Sequence, residues 1–191
     1  MSPEQKASLI GFHAFTGNDY ISAFFQKGKT TCWNILRDNP RFWQVFADVG
    51  TEWLSSVSLT QQLEEFVCLL FGSRRLKSIN TVRFQTFKRK YESENRISDL
   101  SLLPPCRSSL YLHILRSCYV ARIWRLSFTS CPLLPAVENH GWTEEHQVKW
   151  IETAFPDDVS SILLTDGFEE EEYEEGSDES DESNESDNED N

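Results

Sequence analysis

Residues with the type and spacing for chemistry fall in four places along this chain. Asp19 follows Gly17 and Asn18 near the N-terminus. Its carboxylate is a hard oxygen donor of the kind a divalent cation takes. Further on, Lys27-Gly28-Lys29-Thr30-Thr31 joins two cations, a glycine and two hydroxyls ahead of an apolar-periodic run. A turn leading into a helix start offers N–H groups and a positive helix end to a phosphate. The middle of the chain, 73–128, holds 12 bases and 3 acids, with Arg74, Arg75, Lys77, Lys88, Arg89 and Lys90 among the bases. Phe84, Phe87 and Tyr91 are interleaved with them. Such a block can track a nucleic-acid backbone, and counterion release would make that contact steeply salt-dependent. Last, Ser177, Ser180, Ser183 and Ser186 recur every third residue among acids. Ser186 has Glu189 three residues on, which suits an acid-directed casein-type kinase, and each phosphate would add about −1.5 to −2 charge.

Each signal has a plainer counterpart. Asp19 before a short helix at Tyr20 would serve as an N-cap. The lysines of Lys27–Lys29 would be solvated in an ordinary interhelical turn, with Gly28 supplying a positive φ. Phe84 and Phe87, at helical spacing, would face a core. His13 on an apolar helix reads as a core or partly buried histidine, since no serine or cysteine forms a nucleophile motif with it. Cys32, Cys68, Cys106, Cys118 and Cys131 show no CxxC, and His140 and His146 form no HExxH pair. These cysteines are expected to be buried small hydrophobes.

The elements that must position these residues read as helices. Ser2-Pro3-Glu4-Gln5 is a helix start, with Ser2 as cap, Pro3 in the first position and Gln5 completing a capping box. That helix should stop at Thr16-Gly17. A short helix fits Tyr20 to Phe25, and Thr30 or Thr31 would cap the next. Asn39-Pro40 closes it and opens another with Phe42, Val45, Phe46 and Val49 on one face. Ser58 or Thr60 starts a helix with Leu63, Phe66, Val67, Leu70 and Phe71 on one face, ended at Gly72. Val82 to Tyr91 is helical, Pro104-Pro105 is a break, and about Ser108 to Phe128 is the longest helix. Thr129 to Gly141 reads as an extended loop. Thr143-Glu144-Glu145 would start a last helix through Val148, Trp150 and Ile151. No series of alternating runs is present to build a sheet.

The 191 residues carry a formal charge of −13, but the charge is unevenly placed. Residues 166–191 contain 15 acids and no base. The first 165 residues hold 16 acids against all 18 bases. The division expected is a helical body, 1–165, and a disordered acidic tail, 166–191, because a like-charged stretch with little to bury does not fold. Tail charge could compete with DNA for the basic block, or contact basic proteins such as histones. No apolar run approaches the ~20 residues of a membrane span. Without a signal-peptide pattern at the N-terminus, an intracellular, nuclear or cytoplasmic location is expected.

The stretch Ile10-Gly11-Phe12-His13-Ala14-Phe15-Thr16-Gly17-Asn18-Asp19-Tyr20, followed by Ile21 to Trp33, resembles the helix-turn-helix region that closes the catalytic domain of flap-endonuclease and PIN-like nucleases. Gly17-Asn18-Asp19-Tyr20 is similar to their Gly-x-Asp-Tyr element. Lys27-Gly28-Lys29-Thr30-Thr31-Cys32-Trp33 is similar to the glycine hairpin and helix after it. A closer resemblance is to a group of transposon-associated animal proteins with a degenerate nuclease domain, an HAFTG stretch like His13–Gly17 and an AFF-KGK stretch like Ala23–Lys29. Glu65-Phe66-Val67-Cys68, Leu103-Pro104-Pro105, His113-Ile114-Leu115-Arg116 and His140-Gly141-Trp142 also look like that group. The resemblance implies that Asp19 descends from a metal ligand and that the glycine hairpin lies against a DNA phosphate. The chain departs from the pattern at Asn18, where the look-alike group usually has cysteine and a packing change is expected, and at Gln26, which stands at the hairpin's first glycine position. Only Glu4 among acids precedes Asp19.

One carboxylate cannot hold the two metals of phosphodiester cleavage. The expectation is therefore a mainly α, non-catalytic remnant of a PIN-like nuclease. It would be the C-terminal part of such a protein, with a helix-hairpin-helix-like N-terminal element and no cofactor. Nucleic-acid contact would run through Lys27–Thr31 and the basic block. The alternatives are a protein-interaction module using the acidic tail, and an active metal-dependent nuclease.

Overall fold

A computed structural model describes residues 1–94, 100–144 and 148–150. Among them are six α-helices: α1 (Pro3–Phe15), α2 (Lys29–Asp38), α3 (Phe42–Asp48), α4 (Val57–Leu70), α5 (Ile79–Glu94) and α6 (Arg107–Arg125). A single 3-10 turn at Leu100–Leu102 precedes the Pro104-Pro105 break. Two short strands follow, β1 (Trp142–Glu144) and β2 (Val148–Trp150). The mainly helical class is as expected, and α1, a turn and α2 form the N-terminal helix-turn-helix element. The tail and its four serines lie outside the described residues.

Local signals set the helix ends. Ser2 Oγ accepts from Gln5 N at 3.2 Å, and Gln5 Oε1 accepts from Ser2 N at 2.9 Å, a reciprocal capping box. Helix α4 starts earlier than expected, because Ser56 rather than Ser58 or Thr60 accepts the N-terminal N–H, from Leu59 at 3.1 Å. Helix α2 begins after Gly28, with Thr30 and Thr31 inside its first turn rather than capping it.

The core is aromatic. Phe15, Phe42, Phe46 and Phe66 are fully buried and meet edge to face or tilted, with Phe46 and Phe66 centroids 4.9 Å apart at 90°. Such pairs contribute about 0.5–1.5 kcal/mol beyond area burial. Helices α1 and α3 approach closely at Gly11, where an added Cβ would fall 2.1 Å from Phe46 O. Helix α3 is short and has no side-chain cap of its own at the N-terminus. Arg125 of α6 closes its other end, donating to Ala47 O at 2.8 Å and Val49 O at 3.1 Å. Helix α6 also buries Tyr119 and Val120 in a second, smaller cluster with Ile21 and Trp142.

Two further expectations differ from the fold. Trp142–Glu144 and Val148–Trp150, expected to be helical from Thr143 on, are instead antiparallel paired strands, with Trp142 opposite Trp150 and Thr143 opposite Lys149. Trp142 docks against Tyr119 (centroids 5.5 Å) while buried Arg116 donates to Gly141 O at 2.9 Å, and that anchoring fixes an extended chain. Phe84 and Phe87 of α5 face outward, 44% and 40% exposed; Ile79 and Val82 are the residues α5 buries.

Candidate nucleic-acid interface

The turn between α1 and α2 is built around the end of α1. The last carbonyls of a helix lack intrahelical partners. Here each of the last four finds one. Thr16 N and Oγ1 donate to Phe12 O at 3.0 and 2.7 Å. Lys29 Nζ donates to His13 O at 3.3 Å, and Asn18 Nδ2 to Ala14 O at 3.1 Å. His113 Nε2 lies 2.8 Å from Phe15 O. Lys29 Nζ also donates to Thr16 Oγ1 at 3.1 Å and to Gly17 O. Its ammonium therefore points back at α1 rather than out over the start of α2, and desolvation holds its pKa below the usual lysine value.

No helix forms from Tyr20 to Phe25, which corrects that expectation. Asn18 and Ile21 exchange backbone hydrogen bonds at 2.9 and 3.3 Å, and Tyr20 N donates to Asn18 Oδ1 at 2.9 Å. The capping side chain is thus Asn18, whose amide joins the end of α1 to the turn, and not Asp19. Ile21 is buried beside Tyr119 and Phe24 in the main core, and these two anchors hold the segment open. Gln26, not Gly28, takes the left-handed conformation, with φ 55°. Gly28 is the extended N-cap of α2, φ −66°, with no side chain supplying a cap hydrogen bond. Lys27 Nζ sits 5.2 Å from the centre of the Phe71 ring. Thr30 and Thr31 are exposed.

Asp19 is exposed. Among the described residues no three His, Cys, Asp or Glu side chains are grouped so that they could hold a metal ion. The residues present do not fit the divalent cation pair that the nuclease resemblance implies. His13 is exposed rather than buried, and its ring stacks on Trp124 at 5.3 Å and 28°. Partial desolvation and then the charge of Lys29 hold its pKa below the usual value, against the pull of Asp19.

The basic stretch runs from the α4–α5 connection along α5. Ser73–Tyr91 contains seven bases and no acid. Arg74, Arg75, Lys88 and Arg89 are exposed, and Lys90 is half-buried. Lys77 pairs with Glu65 at 3.1 Å, and Glu65 also takes Arg41 at 3.1 Å. Arg83 donates to Pro104 O. Phe87 and Tyr91, one helical turn apart, lie parallel within 6° with centroids 6.1 Å apart. Tyr91 is 53% exposed.

Several working residues carry no sequence signal. Glu64, buried on α4, accepts from Ile79 N at 2.9 Å at the start of α5 and lies 3.5 Å from Arg107 Nε at the start of α6. It stands in the wall of a cavity of about 540 Å³ with Asn80, Arg107 and Tyr111. His113 is buried against Phe15 and Phe24, and burial pushes its pKa down to about 4. All five cysteines are free, but only Cys32, Cys68 and Cys118 are buried. Burial pushes those thiols up, to about 11, 12 and 11 respectively. Cys131 is exposed and Cys106 partly so. At Cys106 burial raises the pKa, but hydrogen bonds from the Ser108 and Ser109 hydroxyls, with Arg83 nearby, turn the net shift downward.

No helix of the described residues is long and apolar enough to cross a membrane. Comparison with family models, with curated proteins and with solved structures finds no match to this chain.

Proposed function

We propose that this chain is a non-catalytic derivative of a PIN-like nuclease that holds nucleic acid weakly. The contact would run along Ser73–Tyr91 rather than through the Lys27–Thr31 turn. The observation that carries it is the run of seven bases without an acid, five of them exposed and one of those five, Lys77, paired with Glu65. Exposed cations with no acid among them displace counterions from a phosphate backbone. The Lys27–Thr31 turn is the weaker candidate, because Lys29 is held on the carbonyls of α1 and Lys27 lies over Phe71. The non-catalytic part of the proposal is supported by Asp19 belonging to no group of three or more metal-binding side chains among the described residues.

The test is fluorescence anisotropy with a labelled oligonucleotide, using the full chain and a chain lacking 166–191. About four phosphate contacts on a single strand give a slope of roughly −3 in log affinity against log salt. The 15 acids of 166–191 oppose binding, so removing them should tighten it. No binding by either chain at low salt would remove the proposal. A parallel assay with Mg²⁺ or Mn²⁺ on flap and single-stranded DNA should show no cutting. Cutting abolished by Asp19→Ala would instead restore the nuclease reading.

A further inference from the structure

Resting on the nucleic-acid reading above, we infer that the ligand is single-stranded and that its bases stack on Phe87 and Tyr91. Two features of α5 carry the inference together. First, the rings are outside. Large aromatics usually dominate cores, yet Phe87 is 40% and Tyr91 53% exposed, and their planes agree within 6°. Second, the rings bracket charge. Phe87-Lys88-Arg89-Lys90-Tyr91 sets three cations in the same helical turn as the two parallel rings, with no acid from Ser73 to Tyr91 and Glu92 next in the chain.

That pairing of aromatic platform and cationic track suits single strands. Every base has a π face, so stacking is sequence-tolerant, while the cations follow the backbone. A duplex keeps its π faces stacked on one another and would have to give them up to reach these rings. Charge complementarity selects a polyanion over an apolar partner for the same face. Arg74 and Arg75, exposed in the connection that leads into α5, extend the positive character ahead of the helix.

The experiment uses the full chain with a fluorescent single-stranded 12-mer and the same sequence as a duplex. The single strand should bind at least about tenfold more tightly. Phe87→Ala and Tyr91→Ala should each lower its affinity about tenfold, with the salt slope unchanged. Tyr91→Phe should retain affinity, because the π face stays. Arg89→Gln should instead shrink the slope by about 0.7. Both rings are exposed, so unchanged thermal melts of the alanine variants would confirm that folding is intact.

Equal binding of duplex and single strand, with both alanine variants at full affinity, would overturn this inference while leaving salt-dependent binding and the proposed function standing. Binding of neither oligonucleotide would remove both. A monomer–dimer equilibrium abolished by Phe87→Ala, or anionic vesicle binding lost in that variant, without single-strand preference, would assign the face to a second copy or a lipid surface and overturn the inference.

Discussion

The Lys29 ammonium lies 3.1 Å from the Thr16 hydroxyl and 3.3 Å from His13 O, so the first residue of α2 closes the last turn of α1. The glycine turn that separates the two helices is held shut by its own lysine. That arrangement orders the segment without a ligand, and it separates the fate of Lys29 from that of the exposed cations on α5.

Lys29→Met should destabilise the protein by about 1–2 kcal/mol, because His13 O and Gly17 O lose a charge-assisted donor. The same variant should leave the salt slope of oligonucleotide binding unchanged. Urea unfolding measures the first and anisotropy the second. A reduced slope with unaltered stability would show that Lys29 faces a phosphate after all.

The turn also makes a prediction about where glycine is needed. Gly17 has φ 99°, and a Cβ there would sit 2.6 Å from Ala23 Cβ. Gly17→Ala should cost more than about 2 kcal/mol through strain and contact together. Gln26 takes φ 55°, a conformation disfavoured for a residue with a Cβ. Gln26→Gly should therefore be neutral or stabilise by about 0.5–1 kcal/mol, even though glycine widens the unfolded ensemble. Denaturation midpoints of the two variants should move in opposite directions, or only the first should move.

Glu64 joins the starts of α5 and α6 from inside α4. Glu64→Ala leaves Ile79 N without its acceptor in a buried place and should cost about 2 kcal/mol. Glu64→Gln keeps an acceptor oxygen and should cost less. Hydrogen exchange in the first turn of α5 should rise in the alanine variant before exchange rises elsewhere.

His113 links stability to pH. Its pKa is pushed down to about 4 by burial, against a hydrogen bond to Phe15 O that favours the proton. The unfolded chain then binds more protons than the folded one between about pH 6.5 and 4. The stability from keeping this ring neutral is full above pH 6.5 and is lost as pH falls toward 4, by an amount of order 3 kcal/mol. His13 and His140 shift in the same direction and add to the slope. His113→Phe should be less stable at pH 7, with Phe15 O left without its donor, and should lose stability less steeply on acidification. Urea midpoints from pH 7.5 to 4.5 measure both.

The sequence alone determined what depends on neighbours in the chain. The capping box at Ser2 and Gln5, the stop at Gly17, the Pro104-Pro105 break, the length of α6 and the charge of the basic stretch are all read within a few residues. Local hydrogen bonds and helical periodicity decide them. Packing between distant residues decided the rest. His113 meets Phe15 across 98 positions, and Arg125 meets Ala47 across 78. Nothing near Trp142 in sequence reveals that Tyr119 and Arg116 will draw it into a strand. The outward turn of Phe84 and Phe87 has the same cause. Helix α5 docks through Ile79, Val82 and Arg83, and which side of a basic, aromatic helix meets the core depends on where those few anchors find partners, not on the spacing of its rings.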